Sequence, residues 1–294
     1  MKIFITGGSG LIGQYLNVEL SKSHEILTQY YKHIGNCGDY NSVHFAINDY
    51  EALESSFKSF KPEIVIHTAA ISNAERADQL PADEVYDVNV NATKNLAELC
   101  MQHNSKLIYT SSDLVYAGYR GSYLTEESKL IPISLYAETK LMGEVKVRET
   151  LTNHIILRVA LQFGFGLNHS RSHFQLVYDE LRNGRKVKLF SDQYRSVLSL
   201  KESARMIAEL ITKDVSGEML NFGGVERVSR YDLGKEICRV CNYDESLIEP
   251  VTMESVNATY KVADVSMNID KLKRLGIEPK RFCNSIEEVL TEND

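Results

Sequence analysis

The sequence predicts an α/β protein in which a doubly wound parallel sheet is joined by a smaller C-terminal α/β lobe. Two observations predict the sheet: short β-rich runs alternate with helical patterns over about the first 160 residues, and a glycine-rich turn connects the first run to the first helix. Strands that alternate with helices are typical of βαβ units, which assemble parallel sheets. A third observation predicts the lobe, because the alternation loosens after about residue 165.

The predicted strands of the sheet are six apolar, β-rich runs at residues 2–6, 25–29, 43–46, 63–70, 106–112 and 154–160. Helical patterns fill the intervals at 11–22, 49–60, 82–103 and 135–151. Asn48 and Glu51 have the spacing of a capping box, which predicts where the second of these helices begins. In the last third we expect helices near 172–183, 201–213 and 230–241, with short strands near 187–190 and 218–222.

The composition is that of a soluble globular chain whose partners are small molecules. Its 294 residues are 43% hydrophobic and 25% charged, with a formal net charge of −7 and a pI near 5.7. The acidic balance and the lack of a basic run argue against nucleic acid or an anionic membrane surface as a partner. No apolar run approaches the ~18 residues of a membrane span, and the chain opens directly on the first predicted strand, so we expect a cytoplasmic protein.

The five cysteines are scattered along the chain, and we expect them to be reduced thiols. Cys238 and Cys241 form a CxxC within a helical pattern, "YDLGKEICRVC". No second pair of cysteines or histidines completes a metal site, so we predict no metal.

A glycine triplet follows the first strand: "TGGSGLIGQYL" has a G-x-x-G-x-x-G pattern that opens the first helix. Glycines at such positions allow a tight turn, bring bare backbone close to a pyrophosphate, and let the helix pack on the strand with its N-terminus facing the phosphates. The pattern therefore predicts a Rossmann-type dinucleotide site. The residues expected to contact the cofactor are Gly7, Gly10, Leu11, Ile12 and Gly13 in this turn, and Thr68, Ala69 and Ala70 at the end of the fourth run.

A second motif, "YAETK", places Tyr136 and Lys140 one helical turn apart on the helix after the fifth strand. Ser112 stands at the end of that strand, where ligands of open α/β sheets gather. "YDLGK" repeats the spacing with Tyr231 and Lys235, but it lies in the C-terminal part without a preceding strand of the sheet. We interpret that second pair as a surface helix pair, and the context singles out the first.

These motifs resemble the extended short-chain dehydrogenase/reductase superfamily and, within it, the dTDP-4-dehydrorhamnose reductase (RmlD-like) family of sugar-nucleotide reductases. "SSDLVYAG" resembles that family's Ser-Thr-Asp-Tyr-Val-Phe-Asp-Gly, "YAETKLMGE" its Tyr-Gly-x-x-Lys-x-x-Gly-Glu, and "VNVNATKNLAE" its Val-Asn-x-x-x-Thr segment. The likeness is good over about residues 1–212 and looser beyond. It implies reduction of a nucleotide-linked 4-keto-sugar with NAD(P)H.

The resemblance also implies roles for individual residues. Ser112 would hydrogen-bond the substrate carbonyl, Tyr136 would donate a proton to the developing alkoxide, and Lys140 would hold the nicotinamide ribose. The nearby ammonium group is expected to lower the pKa of the phenol from its reference of about 10 toward the working pH. The further residues expected to contact substrate are Ser72, Asp113 and Arg195, and Tyr136 and Lys140 are expected to contact the cofactor as well.

The sequence departs from the family at positions that bear on the ligands. Ala46 stands where the family usually has an Asp that meets the adenine, and "SVLSL" lacks the usual Pro-Thr. Asn89 matches the Asn of the family's Val-Asn segment, and we expect either a cofactor contact or a helix residue that bonds backbone. After the second strand, "TQYYKH" holds no carboxylate for a ribose 2′-hydroxyl, whereas Tyr31 and Lys32 are available beside a 2′-phosphate. We therefore predict NADP as the cofactor, with NAD as the alternative.

Other functions share parts of this site. A sugar-nucleotide 4,6-dehydratase would need a Glu where this chain has Leu114, which cannot transfer a proton. UDP-sugar C4 epimerisation stays open, because it uses the same Ser, Tyr and Lys. A non-catalytic subunit stays open too, since the methionine adenosyltransferase β-subunit resembles the same reductases. A homodimer is compatible with the resemblance.

Two expectations complete the sequence-based picture. Residues 1–165 would form the NAD(P)-binding domain with the catalytic residues, and residues 166–294 a smaller substrate-binding lobe that packs on it and is not independent. Among the histidines, His67 on a buried strand is expected to be a satisfied core or near-cofactor residue and not a metal ligand. His169 and His173 are expected near the substrate cleft, without forming a zinc site.

Overall fold

The computed structural model describes residues 1–292. In the first part of the chain, the strands are β1 Lys2–Thr6, β2 Glu25–Tyr30, β3 Ser42–His44, β4 Ile64–His67, β5 Lys106–Ser112 and β6 His154–Val159. The helices between them are α1 Leu11–Leu20, α2 Tyr50–Phe60, α3 Ala74–Asp78, α4 Ala82–Tyr86, α5 Ala92–His103 and α6 Leu135–Thr150. A π-helical turn, Asp87–Asn91, links α4 to α5.

The second part is built of seven short strands and five α-helices within the described residues. Its strands are β7 Gln162–Phe163, β8 Val187–Phe190, β9 Tyr194–Arg195, β10 Leu198–Ser199, β11 Glu218–Phe222, β12 Val228–Ser229 and β13 Ile248–Val251. Its helices are α7 His173–Arg182, α8 Leu200–Leu210, α9 Arg230–Cys241, α10 Asp270–Arg274 and α11 Phe282–Thr291. Within residues 1–292, no helix is both long and apolar enough to cross a membrane.

The central sheet has seven parallel strands in the order β11-β6-β5-β4-β1-β2-β3. The chain order reverses between β1 and β4, so a crevice opens there at the carboxyl ends of the strands. The register aligns those ends, since Thr6 pairs with His67 and Ser112 with Val159. The prediction of a doubly wound parallel sheet is confirmed.

Alternate side chains of the strands pack on the two helical layers. Ile3 and Ile5 belong to the core that includes residues of α1 and α8, and Phe4 belongs to the core beneath α2, α5 and α6. Both faces are therefore covered, which explains why the strands read as continuous apolar runs. A third core, centred on Phe163, Phe174 and Ile237, holds the second part together.

Most boundaries agree with the sequence pattern, and three details differ. The fourth strand ends at His67, so residues 68–70 form a loop at the carboxyl edge of the sheet. The α2 N-cap is Asp49, whose carboxylate accepts a bond from Ala52 N, while Asn48 donates to Asp87 instead. The strand at 218–222 lies beside β6 as the seventh strand of the central sheet, so the second part of the chain contributes to the sheet of the first.

Candidate active site

The glycine turn after β1 is built for close approach of backbone. Gly7 has φ of +70°, and a Cβ there would lie 2.6 Å from the Ala69 nitrogen. A Cβ on Gly13 would lie 2.2 Å from the Gly7 carbonyl oxygen, so α1 can pack on the turn only with glycine at this position. No side chain caps the N-terminus of α1. Its free N–H groups are suited to a pyrophosphate, and the turn fits a bound dinucleotide.

The loop after β4 closes the turn from the other side. Thr68 donates from its hydroxyl to the Thr6 carbonyl oxygen at 2.7 Å. Asn89, in the π-helical turn, accepts from Ile71 N at 2.8 Å and donates both amide hydrogens, to Ile71 O and to Thr139 Oγ1. The amide of Asn89 is thus used within the protein, which favours the reading that it bonds backbone and holds this loop. Ser72 follows on an exposed stretch.

The segment after β2 lies at the outer edge of the same turn. Tyr31 is 52% exposed, and the Lys32 ammonium lies 5.9 Å from the centre of its ring. The neighbouring His33 ring lies 4.5 Å from the ring of His169, and Ser170 donates to the carbonyl oxygen of Ser9. The loop that holds His169 therefore folds back over the glycine turn, and the expectation that His169 lies near the substrate cleft stays a prediction.

Ser112 and Tyr136 meet at the carboxyl end of β5, and Lys140 lies one helical turn further along α6. Ser134 caps α6 by accepting a bond from Ala137 N at 3.2 Å, which places Tyr136 in the first turn of the helix. The Ser112 hydroxyl accepts a bond from Leu114 N and is hydrogen-bonded to the Tyr136 phenol. The structure therefore brings Ser112 and Tyr136 together, with Lys140 on the same helix as Tyr136.

The protonation of this trio differs from the expectation. Burial raises the pKa of Tyr136 to about 12, the Ser112 hydrogen bond opposes that rise, and the Asp113 charge adds to it. Burial also lowers the pKa of Lys140 to about 7, against the influence of Glu144. The prediction that the ammonium lowers the phenol's pKa toward working pH is wrong for this structure, because burial raises that pKa and the Asp113 charge adds to the rise. Tyr136 is a neutral phenol, with a proton to give.

His67 is the core residue that the sequence suggests. Its ring nitrogens contact the hydroxyls of Thr6 at 2.7 Å and Thr93 at 3.0 Å, and burial together with the Lys140 charge lowers its pKa to about 3. Tyr231 and Lys235 lie on α9, where the ammonium is 5.8 Å from the ring centre. Within residues 1–292, no group of three or more His, Cys, Asp or Glu side chains is arranged to hold a metal ion.

A charged cluster adjoins the catalytic trio. Arg195 Nε lies 3.6 Å from Asp113 Oδ2, and both side chains are buried. Burial raises the pKa of Asp113, and Arg195 opposes that rise. Arg230 donates to Gln193 Oε1 at 2.7 Å and to His173 Nδ1 at 3.2 Å. Desolvation and the charge of Arg195 lower the pKa of Arg230 to about 10.

This cluster carries an excess of positive charge. Asp113 is the carboxylate beside Arg195, and Asp264, which also acts on Arg195, is ion-paired with Arg227 at 2.6 Å. Three guanidinium groups therefore face two carboxylates. A cleft with unbalanced guanidinium groups is suited to a phosphate or another anion, because charge-assisted hydrogen bonds are strong there. The sequence suggested Arg195 alone, since Arg230 directly precedes Tyr231 and Lys235, which the sequence analysis interprets as a surface helix pair.

A second buried ion pair, between Arg158 and Glu144, joins α6 to strand β6 of the central sheet. Arg158 on β6 donates from Nε and Nη2 to the two carboxylate oxygens of Glu144, at 2.9 and 2.8 Å. Ser111 donates to the same carboxylate at 2.6 Å, and Arg158 also bonds the Tyr116 hydroxyl. Sequence reasoning missed this pair, although an Arg within the apolar run "HIILRVA" and a Glu four residues after Lys140 are signals that point to it.

Comparisons with known proteins match this architecture over its full length. The family model described as RmlD substrate binding domain matches residues 1–294. Methionine adenosyltransferase 2 subunit beta of Xenopus laevis is 26% identical over 94% of this chain and 83% of its own. dTDP-4-dehydrorhamnose reductase of Aggregatibacter actinomycetemcomitans is 24% identical over 98% of each chain. The structure of dTDP-4-dehydrorhamnose reductase from Bacillus anthracis, in complex with NADP, has a TM-score of 0.85 at 21% identity and covers 99% of both chains.

Proposed function

The chain belongs to the family described as RmlD substrate binding domain, and from this membership we propose that it reduces a nucleotide-linked 4-keto-sugar with NADPH, as dTDP-4-dehydrorhamnose reductases do. Ser112, Tyr136 and Lys140 are the proposed catalytic residues. Gly7, Gly13 and the loop at 68–70 would hold the cofactor.

NADPH, when bound, supplies the hydride that adds to the keto carbon. Ser112 binds the carbonyl oxygen, and Tyr136 gives its phenolic proton to the alkoxide that develops there, so that a ketone becomes an alcohol. A phenol whose pKa is raised to about 12 is fully protonated near neutral pH, as a proton donor must be. The Lys140 ammonium stabilises the tyrosinate that remains and binds the ribose hydroxyls of the cofactor.

The observation that carries this proposal is the position of the excess positive charge beside the trio. Asp113 follows Ser112 directly in the chain, and Arg195 lies 3.6 Å beyond its carboxylate. A sugar bound with its carbonyl at Ser112 would extend toward Arg195 and Arg230, which suits a sugar whose other end carries a diphosphate. This arrangement favours a nucleotide-linked sugar over a free sugar or a steroid.

One relative supports a second candidate. The subunit of methionine adenosyltransferase named above is as similar to this chain as the reductases are, so the protein could act as a regulatory partner of another enzyme. UDP-sugar C4 epimerisation is the third candidate and predicts NAD that stays bound through purification. Cytoplasmic location, a homodimer and the division at residue 165 belong to the proposal as expectations on which the chemistry does not depend.

The test is NADPH oxidation with dTDP-4-dehydrorhamnose, followed by the near-ultraviolet absorbance of the cofactor. Tyr136→Phe should lower kcat/KM by about 10²- to 10⁴-fold and leave NADPH affinity within a factor of about three. Tyr231→Phe is the matched control, since Tyr231 precedes Lys235 by the same spacing. A wild-type protein that binds NADPH but reduces neither this substrate nor other nucleotide-linked keto-sugars would contradict the proposal and favour the regulatory role.

A further inference from the structure

We infer that Tyr109 is a positioning residue for Lys140: its aromatic face supports the buried ammonium group and keeps it charged in the cofactor cleft. The inference rests on the proposed function, because it assigns Lys140 to cofactor binding. Lys140 Nζ lies 4.2 Å from the centre of the Tyr109 ring. That distance is well within the ~6 Å over which a cation is attracted to the negative face of a ring.

The ammonium has little else to compensate its burial. Lys140 is 3% exposed and Tyr109 is fully buried. In the described part of the chain, Lys140 Nζ makes no hydrogen bond. A charge buried without hydrogen bonds is costly, so the ring face is the nearest compensating group.

The charged and titratable groups around Lys140 come from three elements. Glu144 and Tyr136 lie on α6, His67 on β4, and Tyr109 itself on β5. The Glu144 carboxylate already accepts hydrogen bonds from Arg158 and Ser111, so its charge is largely compensated by Arg158. The pKa values of Tyr136, about 12, and His67, about 3, lie far from neutrality on either side. Tyr136 and His67 therefore keep their charge states over the pH range in which Lys140 titrates.

The fold holds the Tyr109 ring in place beneath α6. The phenol donates to the main-chain oxygen of Lys140 at 3.3 Å. The centre of the His67 ring lies 5.6 Å from the centre of the Tyr109 ring. A Cβ on Gly143 would lie 2.2 Å from the Tyr109 hydroxyl and 2.8 Å from the carbon that bears it. The lack of a side chain at Gly143 therefore leaves the space that the Tyr109 hydroxyl occupies. Two independent contacts, one to Lys140 and one to Gly143, define the ring's position.

The inferred effect on Lys140 comes from the aromatic ring of Tyr109 and not from its hydroxyl, and two substitutions distinguish these groups. Tyr109→Phe keeps the aromatic face and loses the hydroxyl, with its bonds to the Lys140 carbonyl and the Thr93 side chain. Tyr109→Leu keeps an apolar side chain and removes the face. Because the face stabilises the charged amine, its loss should lower the pKa of Lys140 by about one unit, a tenfold change in the protonation equilibrium.

The readout is cofactor affinity across pH, from the fluorescence of bound NADPH and, in parallel, NADH, which lacks a titrating 2′-phosphate. In the wild type, affinity should fall as Lys140 deprotonates near its pKa of about 7. We expect the midpoint of this fall to stay unchanged in Tyr109→Phe and to move about one pH unit lower in Tyr109→Leu. Because binding alone is measured, the outcome does not depend on finding the sugar substrate.

A fluorinated series guards against a variant that fails to fold. Phenylalanine with one, two or three ring fluorines at position 109 keeps the shape but progressively weakens the negative face. The midpoint should move to lower pH with each fluorine. Equal effects of Tyr109→Phe and Tyr109→Leu, or a midpoint unmoved by fluorination, would overturn the inference and assign Tyr109 to packing alone. Reductase activity that is absent from a protein with the expected binding series would overturn the proposed function instead.

Discussion

The guanidinium of Arg195 lies 3.6 Å from the carboxylate of Asp113, in a buried position one residue beyond Ser112. The two residues come from different parts of the chain, since Asp113 follows β5 and Arg195 ends β9. Their contact ties the second part of the chain to the catalytic end of the sheet. Arg230, in the same charged cluster, bonds Gln193 and His173 and has no carboxylate partner within residues 1–292.

The first prediction concerns Arg230. Arg230→Met should weaken binding of dTDP by about 30-fold or more, because truncation of one partner of a charged contact costs ~2–5 kcal/mol. Calorimetric titration with dTDP measures this without turnover. Arg239→Met, on the exposed side of the same helix, is the matched control and should bind dTDP like the wild type. Unchanged affinity in Arg230→Met would place the diphosphate elsewhere.

The second prediction concerns the buried pair under α6. Glu144→Leu and Arg158→Met should each lower the free energy of unfolding by about 3–5 kcal/mol, because each leaves a buried charge without its partner. The double variant should recover much of that loss, since an apolar pair replaces an ion pair at little cost. Urea unfolding measures all three. Lys146→Ala breaks an exposed pair with Glu149 and should change stability by less than about 1 kcal/mol. Additive losses in the double variant would contradict this reading.

The third prediction concerns acid stability. The folded-state pKa of His67, about 3, lies below the unfolded value of 6.5, so the unfolded chain binds the proton more readily. Stability is therefore complete above about pH 6.5 and falls by up to about 1.4 kcal/mol per pH unit as the pH drops from there toward 3. Burial lowers the pKa of His154 too, with the same sign.

Urea unfolding of the wild type and His67→Gln at several pH values between about 5 and 7 tests this prediction. The variant should lose stability less steeply as the pH falls. His33→Gln, at an exposed position, is the control and should keep the wild-type slope. A slope that is the same in wild type and His67→Gln would rule out His67 as its source.

The fourth prediction concerns the choice of cofactor. Lys32→Asp should weaken NADPH binding by about tenfold and shift the preference toward NADH, because a carboxylate after β2 repels a 2′-phosphate and accepts a bond from a 2′-hydroxyl. Fluorescence titration with both cofactors gives the ratio. Lys22→Asp, at an exposed site beyond α1, makes the same change of charge and should leave the ratio as it is. If both variants shift it alike, the effect is one of net charge.

Short-range patterns in the sequence predicted the parts of the protein that depend on neighbours in the chain. Alternating strand and helix patterns gave the central sheet, and the glycine spacing gave the turn at Gly7. The Tyr-x-x-x-Lys spacing and the strand end at Ser112 identified the trio, because helical and strand periodicity fix which side chains share a face. The glycine turn and the trio each lie within a single βα unit, and the sheet repeats that unit along the chain.

The tertiary structure decided what depends on burial and on contacts between distant segments. Arg195 meets Asp113, Arg158 meets Glu144 and Tyr109 meets Gly143 only once the sheet is assembled. The pKa of Tyr136 moved opposite to expectation for the same reason. A sequence shows which charges are nearby in the chain, whereas desolvation depends on how much of the folded protein surrounds each group, and here desolvation is the larger effect.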